Sequence, residues 1–303
     1  MNMSVGLNLF LACLFAIIVY ANLEALANLL MVNAVIQITF FAVVACIPFL
    51  RTKRVSYVDI AWPFGVALIG LQILLMGDAD FIRRTIVGGI YMFIGLRMGL
   101  GALFMAKKTG VIFKTEFPRY KYRRMVLEQS GSKHINAHLL AEIMAQGFAN
   151  ITVLALPGFL IATNSSDSIS SLEIIGICLW MAAYLLESVA DGQKLLFISK
   201  NKRGVCNIGL WKYSRHPNYF AEWLVWTGLV IAAIPSWLAL SGSETLLVWI
   251  CLGVGSVSAS FMMYITLVHL TGAIPAEYYS VQKRTEYKEY QEKTNMFFPW
   301  FSR

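Results

Sequence analysis

Charged residues are scarce in this chain. Only 14% of its 303 residues are Asp, Glu, Lys or Arg, while 58% are hydrophobic, and the mean hydropathy is +0.63. A soluble domain carries about 25% charged residues. Nearly uncharged stretches recur along the chain, and each is long enough to cross a bilayer. The composition therefore excludes a soluble protein and predicts an all-α, polytopic integral membrane protein with seven or eight transmembrane helices.

The predicted spans form one membrane domain over residues 1–303, with no soluble domain. They lie near 5–21, 29–50, 57–76, 82–106, 138–163, 169–190, 219–240 and 244–271. The first could instead be a cleaved signal peptide, because "ALA" at 25–27 imitates a cleavage site. No Lys or Arg precedes that stretch, however, so the basic start of a signal peptide is missing. We expect the first span to be retained.

Cations are almost absent from one face of this arrangement. With a cytosolic N-terminus, 22 of the 25 Lys and Arg residues fall in the four inside segments: 51–56, 107–137, 191–218 and 272–303. This asymmetry follows the positive-inside rule and predicts that both termini are cytosolic. A basic face suits anionic lipid or an anionic cofactor. Nucleic acid is not expected, because no basic and aromatic module lies outside the membrane. The expected location is a bacterial inner membrane, or the endoplasmic reticulum in a eukaryote.

Several site motifs are missing. No G-x-G-x-x-G sequence follows a strand, so no Rossmann domain is predicted. The five cysteines are isolated and form no Cys-x-x-Cys pair, which favours small core residues over ligands. His134 and His138 could share a helix face, but no third ligand accompanies them. No metal site is predicted.

Ionisable residues inside spans are costly and therefore mark candidate sites. Asp59 opens the third span in "YVDIAWPFG", and Arg97 lies within the fourth. Consecutive spans can bring the two together, either as a functional pair or as a structural ion pair, and Asp59 could also reach the near interface. Tyr91 and Trp62 are predicted to lie near them.

A second polar set ends the sixth span. Its members are three or four residues apart and share one helix face: Tyr184, Glu187, Asp191 and Lys194. Two carboxylates and a cation at the cytosolic end suit the ribose hydroxyls and a phosphate of a nucleotide. A solvated helix end is the alternative.

The densest polar cluster is "GLWKYSRHPNYFAEWLVW", 209–226. Pro217 is favoured at the first position of a helix, and the free amides of that helix beside Lys212 and Arg215 form an anion site. One aromatic face with a single acid follows at helical spacing: Tyr219, Glu222, Trp223 and Trp226. We predict that the cluster grips a phosphate while the aromatic face lines a pocket. An interfacial aromatic belt would explain Trp211 and Tyr213 alone.

At these residues the chain resembles a known family. "LWKYSRHPNYFAEWLVWTG" and "PAEYYSVQKRTEYKEYQEKTNMFFPWF" are similar to the C-terminal domain of the steroid 5-alpha-reductase family, in its bacterial branch. The similarity covers 180–303 well and 50–110 weakly. The shorter R-H-P-x-Y core also resembles isoprenylcysteine carboxyl methyltransferases and phospholipid methyltransferases.

The resemblance implies an NADPH-dependent reductase that transfers hydride to the C=C of an enone in a lipid-soluble substrate, such as a 3-oxo-Δ4 steroid. Family cofactor positions carry over to Asp191, Asn218, Tyr219 and Glu222, and more loosely to Arg215, Glu277 and Tyr287. With the neighbouring motif residues, the candidate cofactor set is Glu187, Asp191, Lys194, Trp211, Tyr213, Arg215, His216, Asn218, Tyr219, Glu222, Glu277 and Tyr287.

The family's catalytic pair is a Glu on an early span and a Tyr on the next. Asp59 matches the acid with one carbon fewer, and Tyr91 stands six residues before Arg97, farther than the family places its tyrosine. The catalytic candidates are Asp59, Tyr91 and Arg97, where Arg97 would hold Asp59. The candidates for substrate contact are Trp62, Trp223 and Trp226.

Two other functions compete with the reductase. A methyltransferase that uses S-adenosylmethionine is the first, although such enzymes tend to have an acidic pair after the last span and "AIPAEYY" offers Glu277 alone. A transporter or a structural membrane protein is the second, but no inverted repeat is visible.

The tail is expected to form a short helix with Tyr279, Lys283, Tyr287 and Tyr290 on one stripe.

Overall fold

The structure is a computed structural model and describes residues 26–201 and 204–301. Seven helical stretches in these ranges are long and apolar enough to cross a membrane: Ala27–Thr52, Val55–Met76, Phe81–Thr109, Ile135–Ala162, Ser171–Lys200, Pro217–Gly242 and Leu246–Lys283. They confirm seven of the predicted spans and the all-α, polytopic fold. The predicted span at 5–21 lies outside the described residues.

Every regular element in the described ranges is a helix. The α-helices are α1 (Ala27–Phe41), α2 (Ile47–Thr52), α3 (Val58–Met76), α4 (Phe81–Thr109), α5 (Pro118–Gln129), α6 (Ile135–Ile151), α7 (Leu156–Ala162), α8 (Ser171–Lys200), α9 (Pro217–Ala239), α10 (Leu246–Ile265), α11 (Ala273–Lys283) and α12 (Tyr287–Lys293). Short π-helices occupy Ala42–Cys46 and Thr266–Leu270, and 3₁₀ turns occupy Val55–Tyr57, Gly209–Lys212 and Leu240–Gly242. One isolated bridge joins Val111 and Thr115. The described ranges therefore contain no Rossmann sheet.

The chain divides into two compact units. Of the described residues, the first unit comprises those up to 173 together with 232–258, and the second comprises those from 174 to 231 and from 259 onward. The candidate acid Asp59 belongs to the first unit, whereas the candidate cofactor residues belong to the second.

Glycines bring α3 and α4 of the first unit close together. A Cβ on Gly95 would lie 2.4 Å from the carbonyl oxygen of Pro63, and one on Gly70 would lie 2.5 Å from that of Gly88. Membrane helices have little hydrophobic drive to associate, so close backbone packing at small residues stabilises their contact. These glycines therefore fix the distance between the two helices.

Buried amides join α1, α3 and α6. Asn33, Gln37 and Asn150 are 0% exposed. The side chain of Asn33 donates to the carbonyls of Asn150 and Ile151, where α6 ends. Gln37 donates to the carbonyl of Gly65 at 2.8 Å, and Asn150 donates to that of Trp62 at 3.0 Å. Carbonyls freed at a helix break within the bilayer need such partners.

A buried ion pair joins the start of α4 to the start of α8. Arg83 Nε lies 2.9 Å from Glu173 Oε1, with side-chain exposures of 1% and 2%. Arg83 also donates to the carbonyls of Asn164, Ser166 and Ser168. Because these carbonyls and Glu173 use the guanidinium fully, Arg83 fixes the loop before α8.

In the second unit α8 and α9 approach each other closely at a glycine, since a Cβ on Gly228 would lie 2.7 Å from the carbonyl oxygen of Gly176.

The tail differs from the prediction of one helical stripe. It forms two helices, α11 and α12, because Arg284 is extended at φ −142° and ψ 111° and ends α11. Tyr287 and Tyr290 are buried, whereas Lys283 is exposed.

Candidate functional site

The first-unit cluster consists of Asp59, Arg119 and Tyr120. Arg119 Nη2 lies 2.7 Å from Asp59 Oδ1, and the hydroxyl of Tyr120 donates to the same oxygen at 2.9 Å. The second oxygen, Oδ2, is buried and has no hydrogen-bond partner among the described residues. The cluster therefore fixes one oxygen of the carboxyl and leaves the other available to a ligand.

Local sequence explains how the cluster forms. Asp59 lies in the first turn of α3, where the helix dipole favours a carboxylate. Pro63, four residues later, lacks the N–H that would otherwise bond to the carbonyl of Asp59. On the other side, Pro118 starts α5 directly after the cap residue Phe117, so Arg119 and Tyr120 project from a helix start.

Tyr120 keeps its proton at neutral pH. The residue is 5% exposed, and burial, together with the adjacent charge of Asp59, raises the pKa of its phenol. The guanidinium of Arg119 also lies over the rings of Phe117 and Tyr120, at 4.6 and 5.2 Å from their centroids. Arg119 is thereby held in place between aromatic faces and an acid.

The cation observed beside Asp59 is Arg119, and the pairing of Asp59 with Arg97 stays a prediction. Tyr91 is fully buried, and its hydroxyl donates to the carbonyl of Leu154 at 2.8 Å and accepts from the amide of Gly158 at 3.1 Å. Because this hydroxyl proton is used by the backbone, Tyr91 has a structural role at the break between α6 and α7.

The second-unit clamp is built on Arg215 and Glu277. Arg215 donates to both oxygens of Glu277, at 2.7 and 3.1 Å, and to the carbonyls of Gln291 and Thr294. The side chain of Gln291 donates to Glu277 at 2.6 Å. Arg215 and Glu277 are 8% and 6% exposed. Four hydrogen bonds from Arg215 bind the tail to the start of α9, and its contact with a phosphate stays a prediction.

His216 completes the clamp. Its Nε2 lies 3.0 Å from Glu277 Oε1, and its ring stacks on Tyr219 with centroids 5.1 Å apart. Burial lowers the pKa of His216 below 6.5, although the hydrogen bond that its ring makes to the carboxylate of Glu277 acts in the opposite direction. His216 is therefore neutral at pH 7 and acts here as a buried hydrogen-bonding group.

Asn218 and Asp191, both candidate cofactor residues, lie in contact. Asn218 Nδ2 donates to Asp191 Oδ1 at 3.0 Å, which links the first turn of α9 to α8. The amide oxygen of Asn218 is buried and has no hydrogen-bond partner among the described residues. Such an acceptor can receive a hydrogen bond from a ribose hydroxyl or a carboxamide.

Trp211 and Lys194 lie beside this pair. The indole of Trp211 donates to the carbonyl of Ala190 at 2.9 Å, and Lys194 Nζ lies 4.2 Å above its ring. Tyr287 is buried, and burial raises the pKa of its phenol. Tyr213, also a candidate, is 42% exposed and meets the ring of Phe301 edge-on.

The aromatic face of α9 is covered by the tail. Phe297 and Phe298 pack edge-on against Trp223, with ring centroids 6.1 and 5.7 Å from its own. Trp226 is fully buried and donates to Glu222 Oε1 at 3.0 Å. Of the predicted substrate contacts, Trp223 is partly exposed and Trp226 is enclosed, while Trp62 is partly buried in the first unit.

No group of three His, Cys, Asp or Glu side chains in the described residues could hold a metal ion. The model of the family described as a protein of unknown function, DUF1295, matches residues 45–294. The chain belongs to the DUF1295 family. No curated protein and no solved structure matches it.

The DUF1295 match contains every candidate residue from Asp59 to Tyr287. It also contains Arg119 and Tyr120, which sequence reasoning missed. Cations and tyrosines are ordinary in a basic cytosolic segment, so neither residue stood out. The available signal was Pro118, which predicts a helix start directly before both residues.

Proposed function

We propose that this DUF1295 protein is an NADPH-dependent membrane reductase that acts on the C=C of an enone in a lipid-soluble substrate, such as a 3-oxo-Δ4 steroid. The observation that carries the proposal is the partly buried carboxyl of Asp59, with Oδ1 fixed by Arg119 and Tyr120 and the buried Oδ2 without a hydrogen-bond partner among the described residues. The resemblance to the steroid 5-alpha-reductase family supports the reaction class.

The chemistry needs a proton donor at the ketone. Bound NADPH would supply hydride to the β-carbon of the enone. Negative charge then develops on the ketone oxygen, where a positioned donor stabilises it, and a proton from water adds to the α-carbon to complete the saturated ketone. When Asp59 is protonated, Oδ2 carries the proton because Oδ1 accepts from Arg119 and Tyr120. Asp59 would thus be the acid, and its two neighbours would set the direction of its proton.

The second unit offers groups that fit the cofactor. The unpartnered amide oxygen of Asn218 and the adjacent Asp191 suit the ribose or the carboxamide. Lys194 is held on Trp211, and Arg284 Nε is buried without a hydrogen-bond partner among the described residues. These two cations suit the phosphates better than Arg215, which Glu277 neutralises.

The test is ligand binding by the purified protein, with NADPH compared against S-adenosylmethionine. We expect NADPH to bind, and Asn218→Ala to weaken it about fivefold to tenfold, as the loss of one hydrogen bond of about 1 kcal/mol requires. Asn207→Ala is the matched control, since Asn207 is exposed in the same unit. Binding of S-adenosylmethionine without NADPH would assign a methyltransferase instead.

Activity is measured as NADPH oxidation with progesterone or testosterone. Turnover that depends on the steroid would support the reductase. NADPH binding without turnover of any 3-oxo-Δ4 steroid would keep the cofactor and reject the steroid class.

A further inference from the structure

The loop before α5 is held in an unusual backbone conformation. Ile112 is fully buried and has a φ of 76°, a region that β-branched residues rarely adopt. Gly110 has a φ of 73° in the same turn. Such conformations persist only where the surroundings hold them, and they concentrate at functional sites.

Contacts to the start of the Val55–Met76 span hold this loop. Arg54 donates to the carbonyl of Ile112 at 3.0 Å and also reaches that of Lys114 at 3.5 Å. From α5, Arg124 donates to the carbonyl of Lys53 at 2.9 Å. The two segments are therefore joined on both sides of Glu116.

Glu116 makes the central contacts. Its carboxylate accepts hydrogen bonds from the amides of Val55, at 2.6 Å, and Ser56, at 3.0 Å, and from the hydroxyl of Ser56. The amide of Phe117 in turn donates to the Ser56 hydroxyl at 2.9 Å. One acid thus satisfies amides at the start of a helix 60 residues away in sequence.

The contact between Glu116 and Ser56 lies next to the first-unit cluster on both chain segments. Ser56 and Asp59 are three residues apart on a 3₁₀ turn that runs directly into α3. Glu116 and Arg119 are also three residues apart, and Pro118 fixes the backbone between them. Because both connections are short, one helical and the other held by Pro118 at the start of α5, the contact between Glu116 and Ser56 sets the distance from Arg119 and Tyr120 to Asp59.

We propose that Glu116 is a positioning residue, which fastens the segment carrying Arg119 and Tyr120 onto the start of α3 and so orients the carboxyl of Asp59. Its effect on turnover rests on the proposed role of Asp59, but its effect on Tyr120 does not. A helix cap alone would need only a local acceptor, whereas Glu116 joins two helix starts at the cluster.

The test compares Glu116→Gln with Glu128→Gln. The first keeps the shape but replaces one of the two acceptor oxygens by an NH₂, which then faces the backbone amide of either Val55 or Ser56. The second removes the same charge from an exposed position on α5. The direct readout is the ultraviolet titration of the Tyr120 phenol. It is taken as the difference between each protein and the same protein with the added change Tyr120→Phe. This measurement needs neither cofactor nor steroid.

In Glu116→Gln we expect Tyr120 to titrate at a lower pH, closer to its ordinary value of 10.0, because its side chain gains access to water. Turnover should fall about tenfold or more, as for a displaced catalytic group, with the KM for NADPH unchanged. Ser56→Ala should shift both readouts in the same direction. Glu128→Gln should shift neither.

An unchanged Tyr120 titration in a folded Glu116→Gln protein would overturn the proposal, whatever the turnover. If the wild type does not reduce any enone, the titration still decides the role of Glu116, and only the proposed function fails. A shifted titration with unchanged turnover would reject the positioning of Asp59.

Discussion

Asp59 is the residue on which the proposed chemistry depends. A carboxyl in a span is costly unless it is paired, and Arg119 with Tyr120 supplies that pairing at one oxygen only. Arg119 is 34% exposed at its side chain, whereas Asp59 is 17% exposed. The acid is therefore shielded more than the cation that orients it.

We predict that Asp59→Asn lowers turnover of a 3-oxo-Δ4 steroid by about 10² or more, the usual scale for a positioned proton donor. NADPH affinity should be unchanged, because the candidate cofactor residues belong to the second unit. Steady-state NADPH oxidation and a separate binding titration measure the two effects. Asp78→Asn, at an exposed position of the same unit, is the control and should behave as wild type.

The variant Tyr120→Phe separates the role of Tyr120 from that of Asp59. If Tyr120 only orients Asp59, its loss removes one hydrogen bond and costs about tenfold in turnover. A loss of turnover as large as that of Asp59→Asn would make the phenol the proton donor.

Near-normal turnover in Asp59→Asn would mean that another residue is the acid, and Glu187 and Glu222 would be the next candidates.

His216 gives a pH dependence with a defined sign. Burial lowers the pKa of the folded-state imidazole below 6.5, so the unfolded chain binds the proton more tightly. The stability contributed by neutral His216 is complete above pH 6.5 and is lost as the pH falls through 6.5 toward the lower folded-state value. The charged groups around the ring are Glu277, Arg215 and Lys194.

We therefore expect the melting temperature in detergent to fall as the pH is lowered from about 8 to about 5. His216→Gln, which can still hydrogen-bond to Glu277, should flatten this dependence. His134→Gln, at an exposed histidine, should leave the slope unchanged. An equal slope in all three proteins would mean that His216 contributes no measurable part of it.

At the scale of elements, the spans were predictable because each is a long apolar run. The span predicted at 82–106 lies within α4, and the span predicted at 219–240 lies within the helical stretch Pro217–Gly242. The break between Ile151 and Leu156 was not predicted, because its freed carbonyls are satisfied by Asn33 in a distant helix. Apolarity along the sequence gives spans, but the partners of polar groups depend on packing.

The two parts of the candidate site differ in the same way. Asp191 and Asn218 were predictable because Pro217 marks a helix start and three- or four-residue spacing marks a face. The ion pair of Asp59 with Arg119 was not predictable, since charges within a span, such as Arg97, mark candidate sites, whereas Arg119 lies in a polar segment. Only the fold of the loop before α5 brings Arg119 to Asp59.

Gly65 tests the packing of α3 against the buried amides. A Cβ there would lie 2.3 Å from Asn150 Nδ2 and 2.5 Å from Gln37 Oε1. Gly65→Ala should therefore destabilise the protein by about 1–3 kcal/mol, the usual scale of overpacking, and lower the melting temperature. Gly89→Ala is the matched control, since nothing lies within 4 Å of its Cβ, and alanine favours a helix. Equal melting temperatures for the two variants would show that the amides move aside at little cost.

At the scale of the whole molecule, the placement of charge predicts orientation. The eight predicted spans would return the chain to the side on which it began, and 22 of the 25 cations would then lie on that side. The seven described spans end at Lys283, after which come Arg284, Lys288 and Lys293. Tail cations beyond the last span and the basic segment containing α5 belong to the same predicted face.

We predict that both termini face the cytosol. Reporter fusions after Arg303 and within the loop 164–168 should report opposite sides, with the C-terminal fusion cytosolic, because Lys and Arg are retained on that side during insertion. A fusion in the segment 130–134, between α5 and α6, is the internal control and should agree with the C-terminus. A C-terminus on the other side, with the 164–168 loop in the cytosol, would reverse the orientation. Agreement of all three fusions would instead remove one span on each side of the 164–168 loop and contradict the eight-span count.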